Sequence, residues 1–216
     1  ETACLADRDR VDLPRDRRVF MSDPETLGVY AAKAQEYADV TQNLPSDPQL
    51  KAFIEAVKPG GTVLDLGCGP GIAAEHMARA GLVVTATDPV PEMVALAAQK
   101  HGVTAKQASF DDLTGTNIYD GVWANFSLLH APRSDMPRHL KNIATALRPN
   151  GVFHIGVKTG TGEHRDTLGR LYTYFTQDEL TGLLANASLT VKEHATGRYK
   201  GLDGTLADWV CLRAWR

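Results

Sequence analysis

Two hydrophobic periods alternate along this chain, and the points where one gives way to the other mark its elements. Residues 24–40 space Leu27, Tyr30, Ala31, Ala34, Tyr37 and Ala38 as a helix does. A second helix over 48–57 turns Leu50, Phe53, Ile54 and Val57 inward, with Asp47-Pro48 at its start. Lys58-Pro59-Gly60-Gly61 is a turn, and Val63, Leu64 and Leu66 then form the short apolar run of a buried strand. Residues 72–80 return to helical spacing, and Gly81 suits the helix C-terminal end. A second strand covers 82–87, a helix 91–101 with Met93, Val94, Leu96 and Ala97 inward, and a third strand 103–108. Further on, 134–147 is an amphipathic helix capped by Ser134, and 152–157 a strand. Thr176 and Glu179 form a capping box opening a helix to about residue 186, and 189–194 and 207–215 are two last strands. Strands alternating with helices predict an α/β fold.

Between the first strand and its helix stand Gly67, Gly69 and Gly71. Glycine tolerates positive φ and lets a ligand lie against the backbone. Free N–H groups at the following helix start complete a nucleotide cradle. Asp88 ends the second strand, where a carboxylate can take both hydroxyls of a ribose. An adenosine-type ligand is therefore expected between two adjacent parallel strands. The dinucleotide pattern G-x-G-x-x-G/A is not met, because the third glycine comes one place early and Ile72 stands where a small residue should be.

The stretches VLDLGCGPG and TATDP, with Asp65 two places ahead of the first glycine, resemble motifs I and II of the class I S-adenosylmethionine (SAM) methyltransferases. The resemblance extends over 24–216: a fourth strand from Tyr119 leading to His130, and the turn Leu147-Arg148-Pro149-Asn150-Gly151. It implies a doubly wound, mostly parallel, seven-stranded Rossmann-like sheet closed by a C-terminal antiparallel hairpin. SAM is the implied cofactor and S-adenosylhomocysteine the product. Asp65 and the loop of Gly67, Cys68, Gly69 and Gly71 would hold the methionine part, Asp88 the ribose, and Pro89, Met93, Ser109 and Phe110 the adenine. Ser109 and Phe110 depart from the family's acidic-small pair at that place. Asn125 would border the sulfonium. Tyr30-Ala31-Ala32-Lys33-Ala34-Gln35-Glu36-Tyr37 looks like the family's N-terminal lid helix, so Tyr30 and Tyr37 can reach cofactor or acceptor. A helix packing an aromatic stripe on the core is the other reading. Met93 is equally read as core, and Phe110 as part of a capped loop.

On the acceptor side, His130 is a candidate base for a hydroxyl or thiol, or else a structural residue bonded to a loop carbonyl. Tyr30 shares the catalytic expectation. Residues 158–174 mix glycine, charge and aromatics and read as a mobile substrate wall, with Arg165 and Arg170 meeting an anionic acceptor and Tyr172 offering a flat face. The Asn-Pro-Pro-Tyr type motif of enzymes that methylate planar nitrogens is absent. A non-catalytic SAM-binding module and a dinucleotide-dependent oxidoreductase remain as alternatives.

Composition narrows the rest. Apolar residues make up 43% and charged residues 23% of 216, which suits one globular domain over 23–216. Residues 1–22 hold five acids and five arginines with few apolar positions, and read as a disordered tail. A formal net charge of −3 argues against a nucleic-acid partner. Cys4, Cys68 and Cys211 match no metal spacing or disulfide framework, and no apolar run suggests a membrane span or signal peptide. The expected setting is the cytoplasm, with a small-molecule acceptor, no metal, and a monomer or homodimer.

Overall fold

The computed structural model describes residues 23–41, 47–201 and 203–216; the tail expected over 1–22 lies outside them. The first helical stretch is two helices, α1 (Pro24–Ala32) and α2 (Ala34–Thr41). The pattern predicted one, and the chain instead turns at Lys33, with φ −113°. No glycine or proline marks the joint. The bend seats Ala34 on Val90 and Met93 and sets the rings of Tyr30 and Tyr37 edge to face, 5.8 Å apart.

After α3 (Pro48–Ala56) the chain alternates as expected through β1 (Thr62–Leu66), α4 (Ile72–Arg79), β2 (Val83–Asp88), α5 (Pro91–Ala97), β3 (Val103–Gln107) and β4 (Tyr119–Asn125). Then come α6 (Met136–Ala146), β5 (Leu147–Lys158), a hairpin of β6 (Glu163–Arg165) and β7 (Leu171–Thr173), α7 (Gln177–Asn186), β8 (Thr190–Lys200) and β9 (Leu206–Trp215). The seven-stranded sheet has the order β3-β2-β1-β4-β5-β9-β8, with β9 antiparallel to both β5 and β8. A helix crosses back after β1, β2 and β4, each joining parallel strands, whereas a short connection joins β8 to β9. The strand order reverses between β1 and β4, which run parallel, and open sheets bind ligands at the carboxyl ends of the strands there.

Helices cover both faces, so the central strands are apolar on both sides. Leu64, Leu66, Val122, Phe153 and Ile155 pack with α6 and α7, while Val63, Trp123 and Val152 pack with α3 and α4. One row on the second face is polar. Asp65 pairs across to Trp123, Trp123 to His154, His154 to Arg213, and Arg213 to Glu193. His154 lies flat on Trp123 at 3.8 Å and its Nε2–H donates to Asn125 Oδ1 at 3.1 Å. Burial, with the Arg213 charge beside it, holds this imidazole down at about 3.

Candidate active site

The glycine turn is held from the second strand. Gly67 and Cys68 both donate their N–H to the Thr87 carbonyl, at 2.8 and 2.9 Å, and Gly69 N–H donates to Asp88 Oδ2 at 2.9 Å. All three glycines have positive φ, yet they differ in what surrounds them. A Cβ on Gly67 would lie 2.4 Å from Ser127 Cβ, and one on Gly71 2.8 Å from Ala97 Cβ. A Cβ on Gly69 would meet nothing nearer than Tyr37, at 3.6 Å. Gly67 and Gly71 thus let neighbouring elements close in, while Gly69 faces open space beneath the α2 tyrosine. Ser127, just past β4, fixes the same corner by donating to the Leu66 carbonyl at 2.6 Å.

Asp65 is 2% exposed, and its Oδ2 is buried without a hydrogen-bond partner. Burial, reinforced by the charge of Asp88, pushes its carboxyl up to about 7. Such an orphan acceptor at a functional turn asks for a donor from a ligand. Asp88 is nearly buried, and burial raises it against two amide bonds, from Gly69 to Oδ2 and from Val90 to Oδ1, both 2.9 Å. Each carboxylate oxygen still has an acceptor site in hand.

On the adenine side the side chains do other work than expected. Ser109 bonds Asp112 through both its N–H and its hydroxyl, capping the turn Phe110–Asp112. Phe110 is core, 6% exposed, with its ring edge toward His139. Met93 is buried among Ala34, Val90 and the two lid tyrosines. The side chains of Phe110 and Met93 are thus buried in the scaffold, and the Ser109 hydroxyl is bonded to Asp112. Cys68 turns its thiol onto the Gly69 carbonyl, and burial raises it. Pro89 keeps part of its surface open, and its carbonyl accepts from Gln107. Asn125 directs its amide oxygen to His154, away from the loop.

The acceptor side is a polar cluster inside an aromatic wall. Tyr30 donates its hydroxyl proton to His130 Nε2 at 2.9 Å, and His130 Nδ1–H donates to the Leu171 carbonyl at 2.7 Å. Desolvation holds His130 down at about 4, helped by the cations Arg170 and Lys158 and opposed by that carbonyl. Arg170 reaches Tyr30 Oη from the other side at 3.0 Å. The rings of His130 and Tyr172 lie 4.6 Å apart. Tyr30, Tyr37 and His130 are packed deep in the fold yet keep part of their surface open, as residues lining a cleft do. Phe126 adopts φ +54°, a left-handed conformation costing about 1–3 kcal/mol, and so turns its ring to Tyr199, 5.4 Å away.

Two expectations are corrected. Residues 158–174 are not a mobile glycine loop: β6 and β7 pair within them, and Leu171 N–H donates to Thr26 Oγ1 of α1 at 2.8 Å. Nor are the arginines unpaired, although Arg165 stays exposed at the surface. Arg170 is 2% exposed and bonds Asp166 through Nε at 2.9 Å and Nη2 at 2.6 Å. Arg165 grips Asp23 with both Nη atoms at 2.8 Å, which holds that carboxyl far below its ordinary range. Both guanidiniums clasp the hairpin to itself and to α1. Sequence reasoning missed Lys158, Asp166 and Tyr199. Only Lys158 carried a signal, as the one charged residue closing the apolar strand Val152-Phe153-His154-Ile155-Gly156-Val157.

Comparison with known proteins agrees with this geometry. Residues 63–151 match a family model described as a methyltransferase domain. Over 139 residues, 61% of this chain and 56% of the other, the sequence is 33% identical to the cypemycin N-terminal methyltransferase of a Streptomyces species. It is 28% identical over 192 residues, 78% of this chain and 74% of the other, to the ubiquinone biosynthesis O-methyltransferase of Methylobacterium nodulans. Several curated relatives are matched over about half their length, 45% to 56%. Among solved structures, a Burkholderia thailandensis 1,6-didemethyltoxoflavin-N1-methyltransferase with bound 1,6-didemethyltoxoflavin and S-adenosylhomocysteine superposes with a TM-score of 0.70, at 24% identity, over 89% of this chain and 87% of that one. At that identity the likeness speaks for the fold. Among the described residues, no helix is long and apolar enough to cross a membrane.

Proposed function

We propose that this chain, which belongs to the class I SAM-dependent methyltransferases, transfers the sulfonium methyl of SAM to a small-molecule acceptor and releases S-adenosylhomocysteine. The observation that carries the reading is the orphaned Asp65 oxygen two residues ahead of a glycine turn whose Gly69 alone faces open space. A buried acceptor suits the ammonium of the methionine portion, and a bare backbone suits close approach of the ligand. Asp88 would hold the ribose, with Pro89 beside the adenine. SAM supplies an electrophilic methyl whose departing thioether is neutral, so alignment of the reactants provides much of the rate. The remaining expectations travel with this reading: one domain over 23–216, a cytoplasmic setting, no nucleic-acid partner, and a monomer or homodimer.

Asp88 is tested through the cofactor. Its replacement by Ala removes the ribose acceptor and frees the Gly69 amide, and hydrogen bonds to a charged group contribute about 1.5–3 kcal/mol each. SAM affinity measured by calorimetry should fall by at least about tenfold, with the circular dichroism spectrum unchanged. Parent-like affinity for SAM, or a preference for NAD over SAM, would remove the assignment.

His130 and Tyr30 are the chemistry side of the proposal. The Leu171 carbonyl fixes the tautomer, leaving Nε2 as the basic lone pair, and Tyr30 lies between it and the cleft. Tyr30 passes its proton to His130 Nε2 and takes the acceptor's proton in exchange. Because the imidazole titrates near 4, its base function is intact above about pH 5 and is lost as pH falls through that value. His130→Ala should lower turnover by about 10²- to 10⁴-fold and abolish that acid limb, with SAM still bound. An acceptor screen following S-adenosylhomocysteine release supplies the assay. An acid limb that survives in the variant would leave His130 a structural residue.

A further inference from the structure

We propose that Lys158 is the recognition group for the acceptor, and that the acceptor is a flat small molecule bearing an oxygen anion, a carboxylate or an ionised hydroxyl. The inference rests on the methyl-transfer reading and deepens it.

Lys158 closes β5 at the carboxyl edge of the sheet, and it is 2% exposed. Its ammonium sits 3.7 Å from the centre of the Tyr172 ring. Among the described residues no ion pair or hydrogen bond engages Nζ, although an ammonium carries three donors, and Nζ is not one of the fully enclosed polar atoms, so those donors reach solvent or a ligand. The ring face offsets part of the cost of burying the charge, but it satisfies none of those donors.

Nearby carboxylates are already committed. Asp166 is bonded to Arg170 through Nε and Nη2. Asp203 accepts from the Thr205 hydroxyl at 2.8 Å and from its amide at 3.1 Å. With His130 neutral, Arg170 and Asp166 cancel, and Asp203 offsets the Lys158 charge only through space, with no ion-pair contact to Nζ. Burial lowers the pKa of this lysine, and an arriving anion would restore it.

The charge lies on the reaction side. Tyr172 is 4.6 Å from the His130 ring, His130 bonds Tyr30, the Tyr30 ring is 5.8 Å from Tyr37, and Tyr37 overhangs Gly69. Phe126 and Tyr199 add another edge-to-face pair at the C-terminal end of β4. Walls of this kind select a planar guest, and a lone ammonium selects a point of negative charge.

The test uses the full chain saturated with S-adenosylhomocysteine, titrated calorimetrically with benzoate against methyl benzoate and with 4-nitrophenolate against 4-nitroanisole. At least one anion should bind about tenfold more tightly than its neutral partner. The benzoate and nitrophenolate arms separate a carboxylate from an ionised hydroxyl. Lys158→Met, which keeps the apolar stem, should erase the preference while S-adenosylhomocysteine binds as before; Lys158→Gln is the second variant should Met not fold. Equal binding of anion and neutral partner overturns the proposal. So does a preference that survives in either variant, or no binding of either anion at millimolar concentration. Failure of S-adenosylhomocysteine itself to bind would instead count against the methyltransferase reading.

Discussion

Gly69→Val should yield a folded protein that does not bind SAM. The added Cβ meets only Tyr37, at 3.6 Å, so the sheet and its helices can close as before. A β-branched residue at φ +52° carries strain of about 1–2 kcal/mol, a modest cost to the fold. Its two methyl groups, however, fill the one open face of the cradle. Gly67→Ala and Gly71→Ala provide the contrast: their Cβ atoms would press on Ser127 and Ala97 at 2.4 and 2.8 Å, so both should lose melting temperature first. Calorimetric titration beside thermal melts separates the two outcomes. SAM affinity in Gly69→Val within roughly threefold of the parent, well under 1 kcal/mol, would put the ligand elsewhere.

Asp65→Asn should stabilise the ligand-free protein and destroy its response to the cofactor. The folded carboxyl titrates near 7 against 3.8 in the unfolded chain, so between those values the folded state holds the extra proton. Stability from this group is therefore full at acid pH, declines as pH rises towards 7, and becomes a burden above it. The difference corresponds to at most about 4 kcal/mol. Asn carries no charge and escapes that decline. At pH 8 the variant should melt above the parent, with a flatter pH dependence, while SAM raises the melting temperature of the parent alone. A variant no more stable than the parent at pH 8, or one still stabilised by SAM, would contradict the role given to Asp65.

The cradle was legible because its parts are contiguous. Strand, glycine turn, helix and acidic strand end occupy 62–88, and each is dictated by local backbone chemistry. Alternating strands and helices gave the α/β class, and the resemblance implied the doubly wound seven-stranded sheet that the structure has. The acceptor wall was legible only in part: Tyr30, His130 and Tyr172 were expected there, whereas no local rule joins Phe126, Lys158 and Tyr199 to them. Arg170 looked like an anion receptor in sequence because Asp166, four residues earlier, gives no sign that the two will meet inside a hairpin. The strands of that hairpin are three residues each between Gly160, Gly162 and Gly169, too short to show a period. The turn at Lys33 is likewise tertiary: the packing of Ala34 on Met93 bends the chain where no residue breaks it.

That bend has an energetic consequence. Helices of nine and eight residues do not hold themselves together in water, where about 12–15 residues are needed even for favourable sequences. Both exist by docking, through Ala34 on Met93, Thr26 on Leu171 and Asp23 on Arg165. They can therefore detach as a separate cooperative unit while the seven strands remain intact. Amide exchange across 24–41 should report a small sub-global opening energy, and that across β1, β4 and β5 the global one.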